Sequence, residues 1–180
     1  MLSRGRAIAA AGRSLMTDAE NAHRFEFVSI DGDGLPLDAW RGRPVLVVNT
    51  ASFCGYTGQY RGLENLWRRY RDRGLIVLGV PSNDFGRQEP GSEAEIKAFC
   101  TTRFEVDFPL AQKCRVLGAD AHPFYRWVAE TLGEAGTPRW NFHKFLIGPD
   151  GALAGVWPAQ VPPGDRRITA EIEGLLPAEA

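Results

Sequence analysis

Cysteine is scarce in this chain. There are three in 180 residues, Cys54, Cys100 and Cys114, and no two of them form a C-x-x-C pair. Cysteines so few and so scattered exclude a secreted scaffold stapled by disulfides. Histidine is as rare, and His23, His122 and His143 show no spacing typical of zinc ligands, which argues against a metal centre. An excess of one charge is missing too. Twenty-one basic residues face twenty-two acidic ones, leaving a formal charge of −1 and no electrostatic footprint for nucleic acid or an anionic membrane. No apolar run approaches the roughly 18 residues that a membrane-spanning helix needs, and there is no internal repeat or low-complexity linker. What is present, at 44% hydrophobic and 24% charged residues, is enough for one full core and too little for two comfortable ones.

The first twenty residues differ from the rest. Arg4, Arg6 and Arg13 occur without an acid around the short run Ala7-Ile8-Ala9-Ala10-Ala11. A secretory signal wants a longer apolar stretch, and an organellar presequence is matched only loosely. Residues 1–20 are therefore expected to be a disordered or over-long extension, with Met16 as an alternative start, ahead of a single domain over residues 21–180. A cytoplasmic location is expected, with the extension leaving targeting open.

The remaining pattern alternates strands and helices. Phe25-Glu26-Phe27-Val28, the turn chemistry of Asp31-Gly32-Asp33-Gly34 and Leu35-Pro36-Leu37 read as a hairpin. Pro44 to Thr50 is a β-branched run of the kind buried on both faces of a sheet. Leu63, Leu66, Trp67 and Tyr70 mark one face of a helix that Gly74 closes, and Leu75 to Val80 is a second buried strand. Ser92 and Glu95 resemble a capping box opening a helix towards Phe99 and Cys100. A helix over 123–132, two strands around the turn Pro149-Asp150-Gly151 and a helix over about 165–176 complete the order. An α/β sandwich with a mixed sheet and an N-terminal hairpin, in the thioredoxin arrangement, is the fold this order predicts.

Cys54 follows the first buried strand, in Asn49-Thr50-Ala51-Ser52-Phe53-Cys54-Gly55-Tyr56-Thr57. Free backbone N–H groups and the positive end of the next helix favour a thiolate at such a place. Position alone leaves two readings, a small core cysteine or a nucleophile. The residue three further on is Thr57, so no local disulfide can form, and Cys54 must act alone, with a distant cysteine or with an external thiol.

The segment Asn49 to Thr57 resembles the active-site segment of the glutathione peroxidase family in its cysteine form. Gly79-Val80-Pro81-Ser82-Asn83-Asp84-Phe85-Gly86-Arg87-Gln88-Glu89-Pro90-Gly91, Phe99-Cys100-Thr101-Thr102-Arg103-Phe104 and Trp140-Asn141-Phe142-His143-Lys144-Phe145-Leu146 resemble three further blocks of that family, in the same order. The likeness runs from about residue 24 to residue 176. It implies a thiol peroxidase that acts on hydrogen peroxide and organic hydroperoxides, with no metal or organic cofactor. Cys54 would attack the O–O bond and become a sulfenic acid. Trp140 and Asn141 would supply neutral donors to the shifting charge, although a packed Trp and a turn Asn are their plainer readings. The resemblance implies a glutamine where Asp84 stands, in a Cys-Asn-Gln-Phe-Gly run; a carboxylate near the sulfur would oppose ionisation, and Asp84 is expected to be protonated, turned to solvent or a proton acceptor for the Cys54 thiol. Ser82 takes the place of another common family cysteine.

Cys100, 46 residues after Cys54, matches the resolving cysteine of the thioredoxin-dependent branch, and an inert core-facing helix cysteine is the alternative. Cys114, between Lys113 and Arg115, reads as peripheral packing. The short connection from Leu132 to Trp140 lacks the insertion of the tetrameric, glutathione-preferring members, which implies a monomer. The partners implied are a peroxide and a thioredoxin-like reductant or glutathione. Direct recycling by glutathione and a redox-sensing module with weak turnover are the competing functions.

Overall fold

The computed structural model describes residues 6–7 and 20–178. Seven strands and four α-helices occur among them: β1 (Arg6–Ala7), β2 (Glu26–Val28), β3 (Gly34–Pro36), β4 (Val45–Thr50), α1 (Gln59–Tyr70), β5 (Ile76–Pro81), α2 (Glu93–Phe104), α3 (Pro123–Leu132), β6 (Lys144–Ile147), β7 (Leu153–Trp157) and α4 (Arg166–Leu175). Five strands form one sheet in the order β1-β7-β6-β4-β5, and β2 and β3 form the expected hairpin. β4 pairs with β5 in parallel and with β6 antiparallel, so the sheet is mixed. This is the thioredoxin arrangement that the element order predicts.

β4 and β5 are buried along their whole length. Successive strand side chains face opposite sides, so each strand feeds two cores. Leu46, Val48 and Val77 pack with Leu63 of α1, Ile96 of α2 and Ile168 of α4. Val45, Val47 and Leu78 pack with Phe124 and Val128 of α3 and Phe27 of the hairpin. The result is three layers, helices on both faces of the sheet. Gly79 allows the segment after α2 to cross β5 closely, because a Cβ there would stand 2.7 Å from Leu110 Cδ2. Among the described residues no helix is long and apolar enough to cross a membrane.

One expectation lies largely outside the described residues, and one needs adjustment. The extension is described at Arg6–Ala7 and at Glu20; Arg6–Ala7 is an edge strand paired with β7, and the expectation for residues 1–5 and 8–19 lies outside the described residues. The helix after β4 starts late. Residues 52–58 are a run of bends and turns, and α1 begins at Gln59 with Gly58 as its cap. Cys54 therefore stands outside the first turn, where the helix-end field is strongest.

Candidate active site

The C-terminal ends of β4 and β5 and the chain entering β6 meet at one end of the sheet. Cys54 is partly exposed there. Its loop is braced by Thr57, the residue in the place of a second C-x-x-C sulfur. The Cys54 N–H donates to Thr57 Oγ1 at 2.9 Å, and the Thr57 hydroxyl donates to the Ala51 carbonyl at 2.9 Å. The Thr57 N–H returns to the Cys54 carbonyl at 3.0 Å. This bracing turns the Tyr56 N–H onto Cys54 Sγ at 3.3 Å. A turn amide thus supplies the donor that the sequence assigns to a helix end.

The second loop arrives through Gln88. Its backbone carbonyl accepts the Phe53 N–H at 3.0 Å, and its side-chain Oε1 accepts Asn141 Nδ2 at 2.9 Å. Asn141 is fully buried, and its Oδ1 has no hydrogen-bond partner. The third segment is held by buried Asn49, whose Nδ2 donates to the Trp140 carbonyl at 3.0 Å while its own carbonyl accepts the Phe142 N–H at 2.6 Å. Phe142 has φ of 65°, the left-handed conformation that turns the chain into β6. Trp140 is partly exposed and packs on Phe85 with ring centroids 5.7 Å apart. Hydrogen bonds thus join the Cys54 loop to Gln88 and Gln88 to Asn141, while Asn49 holds the neighbouring Trp140.

Cys100 is elsewhere. It lies in the last turn of α2 with no exposure, among the core residues beside α1. Burial pushes its thiol up to about 11, and the Glu89 carboxylate adds to the rise while the Tyr60 hydroxyl opposes it. The two cysteine segments nevertheless touch. Phe53, which is 66% exposed, sets its ring 6.3 Å from that of Phe99.

Asp84 is turned to another loop. Its Oδ2 accepts the N–H groups of Val116 and Leu117 at 2.7 and 3.1 Å, and its Oδ1 lies 3.4 Å from Arg115 Nε. Its thiol neighbour is Cys114, pushed up to about 12 chiefly by burial and then by this carboxylate. The expectation of Asp84 as a proton acceptor for the Cys54 thiol is corrected accordingly: the carboxylate closes the loop after residue 114. The glutamine that hydrogen-bonds to Asn141 is Gln88, four residues on from Asp84 in the same block. Gly86 and Arg87, with φ of 64° and 53°, reverse the chain between the two positions.

The family model for glutathione peroxidase matches residues 22–129. A hydroperoxy fatty acid reductase, gpx1 of Synechocystis sp., is 42% identical over 160 residues, which cover 84% of this chain and 94% of that protein. A glutathione peroxidase-like peroxiredoxin, gpx1 of Schizosaccharomyces pombe, is 47% identical over 125 residues, 68% of this chain and 79% of its own. The crystal structure of Trgpx in its apo form superposes with a TM-score of 0.68 at 35% identity, covering 87% of this chain and 97% of that one. A thioredoxin-family thiol:disulfide interchange protein from Chlorobium tepidum, at 16% identity and a TM-score of 0.64 over 86% and 94% of the two chains, shares the fold.

Proposed function

The chain belongs to the glutathione peroxidase family, and from that premise we propose that its peroxidase turnover runs through Cys54, is resolved by Cys100 and is recycled by a thioredoxin-type reductant. The observation that carries this reading is the partly exposed Cys54, with a backbone donor on its sulfur and the Gln88–Asn141 pair tied to its loop. The thiolate attacks one oxygen of a hydroperoxide, the O–O bond breaks, and water or an alcohol leaves with a proton. Cys54 is left as the sulfenic acid. Negative charge moves from sulfur to the leaving oxygen, and fixed neutral donors stabilise that shift without reorganising. Gln88 Oε1 is occupied by Asn141, which leaves its Nε2 to donate. The Trp140 indole N–H is the third donor. The substrate class, organic as well as inorganic hydroperoxides, is supported by the relative described as a hydroperoxy fatty acid reductase.

Cys100 as the resolving thiol is supported by the contact of Phe53 with Phe99, which sets the two cysteine segments side by side. The reductant is supported by the relative described as a peroxiredoxin. Monomeric action and the single domain over residues 21–180 belong to the same proposal, supported by the short connection between α3 and Trp140. The test is Cys100→Ser. Turnover with thioredoxin is expected to collapse, and the mass after one equivalent of peroxide to shift from an internal disulfide to a sulfenic acid. Undiminished turnover with thioredoxin would make Cys100 a bystander, and faster turnover with glutathione in both proteins would make glutathione the reductant.

A further inference from the structure

Three of the 21 basic residues are lysines, and one of them, Lys144, is fully buried at the start of β6. No ion pair among the described residues includes it. Its side chain shares the α1 side of the sheet with Phe142 and Leu146. There Lys144 Nζ donates to Gln59 Oε1 at 2.7 Å and to the Phe142 carbonyl at 2.7 Å. A dry ammonium without a carboxylate is costly, and a methionine would fill much the same volume without that cost. A methionine lacks the means to draw two carbonyl oxygens from distant parts of the chain onto one nitrogen. A compact ammonium does this with separate N–H groups.

Both acceptors belong to segments of the site. Gln59 is the first residue of α1, and its N–H donates to the Tyr56 carbonyl at 2.8 Å. That bond closes the turn whose Tyr56 N–H lies on Cys54 Sγ at 3.3 Å. Gln59 Nε2 donates to the Ala159 carbonyl at 2.7 Å, so the carboxamide is held at both of its ends. Phe142 follows Trp140 and Asn141, and Asn49 accepts its N–H while Lys144 binds its carbonyl. An aromatic L residue at φ of 65° is thus pinned on both sides in a conformation it resists. We propose that Lys144 is a positioning residue for the peroxide step. Its one nitrogen keeps the turn that aims the Tyr56 N–H at Cys54 in fixed register with the turn that carries Trp140 and Asn141. The inference rests on Cys54 as the peroxidatic thiol, as proposed above. Donors act on a shifting charge only if they are already in place, and a misplacement of about 1 Å costs on the order of 10²-fold in rate. Burial pushes the Lys144 amine down to about 7. A neutral amine still has two N–H groups for two acceptors, so the tie outlasts the charge.

The experiment measures stopped-flow oxidation of Cys54 by hydrogen peroxide with no reductant present, together with solvent exchange of the Tyr56 amide by NMR in the reduced protein. Lys144→Met, which keeps the volume and removes the donor, should slow oxidation at least about tenfold. Its Tyr56 amide should exchange about fivefold faster or more, a local signature that core destabilisation without loss of this turn would not give. Gln59→Met cuts the tie to α1 alone and should change both quantities in the same direction by smaller factors. The double variant should be no slower than Lys144→Met, because both substitutions break one link. Oxidation of Lys144→Met at the wild-type rate overturns the proposal. Slower oxidation with wild-type exchange at Tyr56 overturns it too, as does a double variant slowed by the product of the two single effects. Should Lys144→Met fail to fold, wild-type oxidation and exchange in Gln59→Met overturn it. Wild-type protein whose Cys54 gains no oxygen and forms no disulfide by intact mass, after one equivalent of peroxide, overturns the peroxidatic reading and this proposal together, so the two failures are told apart.

Discussion

Gln88 and Asp84 are four residues apart, and the structure gives them separate tasks. Gln88 bonds to Asn141 beside the Cys54 loop, and Asp84 caps the backbone at Val116 and Leu117. Substitution separates the two tasks. Gln88→Ala removes a preplaced donor and should slow sulfenic acid formation by about 10²-fold, with little change in thermal midpoint. Asp84→Ala should do the reverse. It leaves two partly buried N–H groups without their acceptor, at a cost of about 1–3 kcal/mol in unfolding free energy, and leaves the peroxide step within about twofold of wild type. Stopped-flow oxidation and urea unfolding of the two proteins check this, and a peroxide defect in Asp84→Ala would return that carboxylate to the site. The sequence alone could not assign these roles. Which of two nearby polar residues bonds to Asn141 depends on where the chain reverses, and here the reversal includes Arg87, a non-glycine residue at positive φ. Cys54 is singled out in the sequence by its place after the buried run of β4, and Trp140 and Asn141 by the resemblance of their block and not by apolar period.

At the level of elements, β2 to β7, the hairpin and the four helices lie where apolar period and capping residues place them, and β1 was not foreseen. Ser92 does cap α2, its hydroxyl accepting the Glu95 N–H at 3.2 Å. The late start of α1 was not legible. Gly55 and Gly58 suit a tight turn as well as a helix entrance, and the Thr57 brace that decides between them is a tertiary feature. The other end of α2 matters more for turnover. Cys100 lies in its last turn, and the Cys100 carbonyl accepts the N–H groups of Glu105 and, at 3.3 Å, Val106. Glu105 holds φ of 52°, a left-handed position that suits glycine and strains an L side chain. Terminal turns open more readily than helix centres. A buried Cys100 that must come within disulfide range of Cys54, about 7 Å between Cα atoms, therefore gains from a strained cap. Glu105→Gly should stabilise the protein by about 0.5–1 kcal/mol and slow disulfide formation up to about fivefold. Urea midpoints and rapid alkylation report the two effects; a stabilised variant with an unchanged disulfide rate would mean that Cys100 reaches Cys54 without opening this turn.

For the whole molecule, the buried ionisable groups set how stability varies with pH. His143 is 5% exposed, packs tilted against Phe145 with ring centroids 4.9 Å apart, and has no hydrogen-bond partner on either ring nitrogen. Burial, with help from the charges of Lys144 and Arg139, pushes it down to about 4 from an ordinary 6.5. Below 6.5 the unfolded chain takes up a proton that the fold refuses, so the stability present above 6.5 is lost as the pH falls towards 4. The loss should reach about 2 kcal/mol by pH 5. Lys144, fully buried and bonded to Gln59 Oε1 and the Phe142 carbonyl, is pushed down to about 7 by burial. It lowers stability in the same direction, as the pH falls from its ordinary 10.5 to 7. The thiols act oppositely. Cys100 and Cys114 are raised to about 11 and about 12 from 9, so their contribution is complete below pH 9 and fades above it. Two groups that favour alkali and two that resist it place the maximum of stability on the alkaline side of neutrality, between about pH 8 and pH 9. Thermal midpoints across pH locate that maximum. His143→Phe tests the acid limb, because it keeps an aromatic ring against Phe145 and removes the titration. Its midpoint should change less than the wild type's between pH 6.5 and pH 5, whatever its absolute stability, and an equal slope in both proteins would assign the acid limb to other groups.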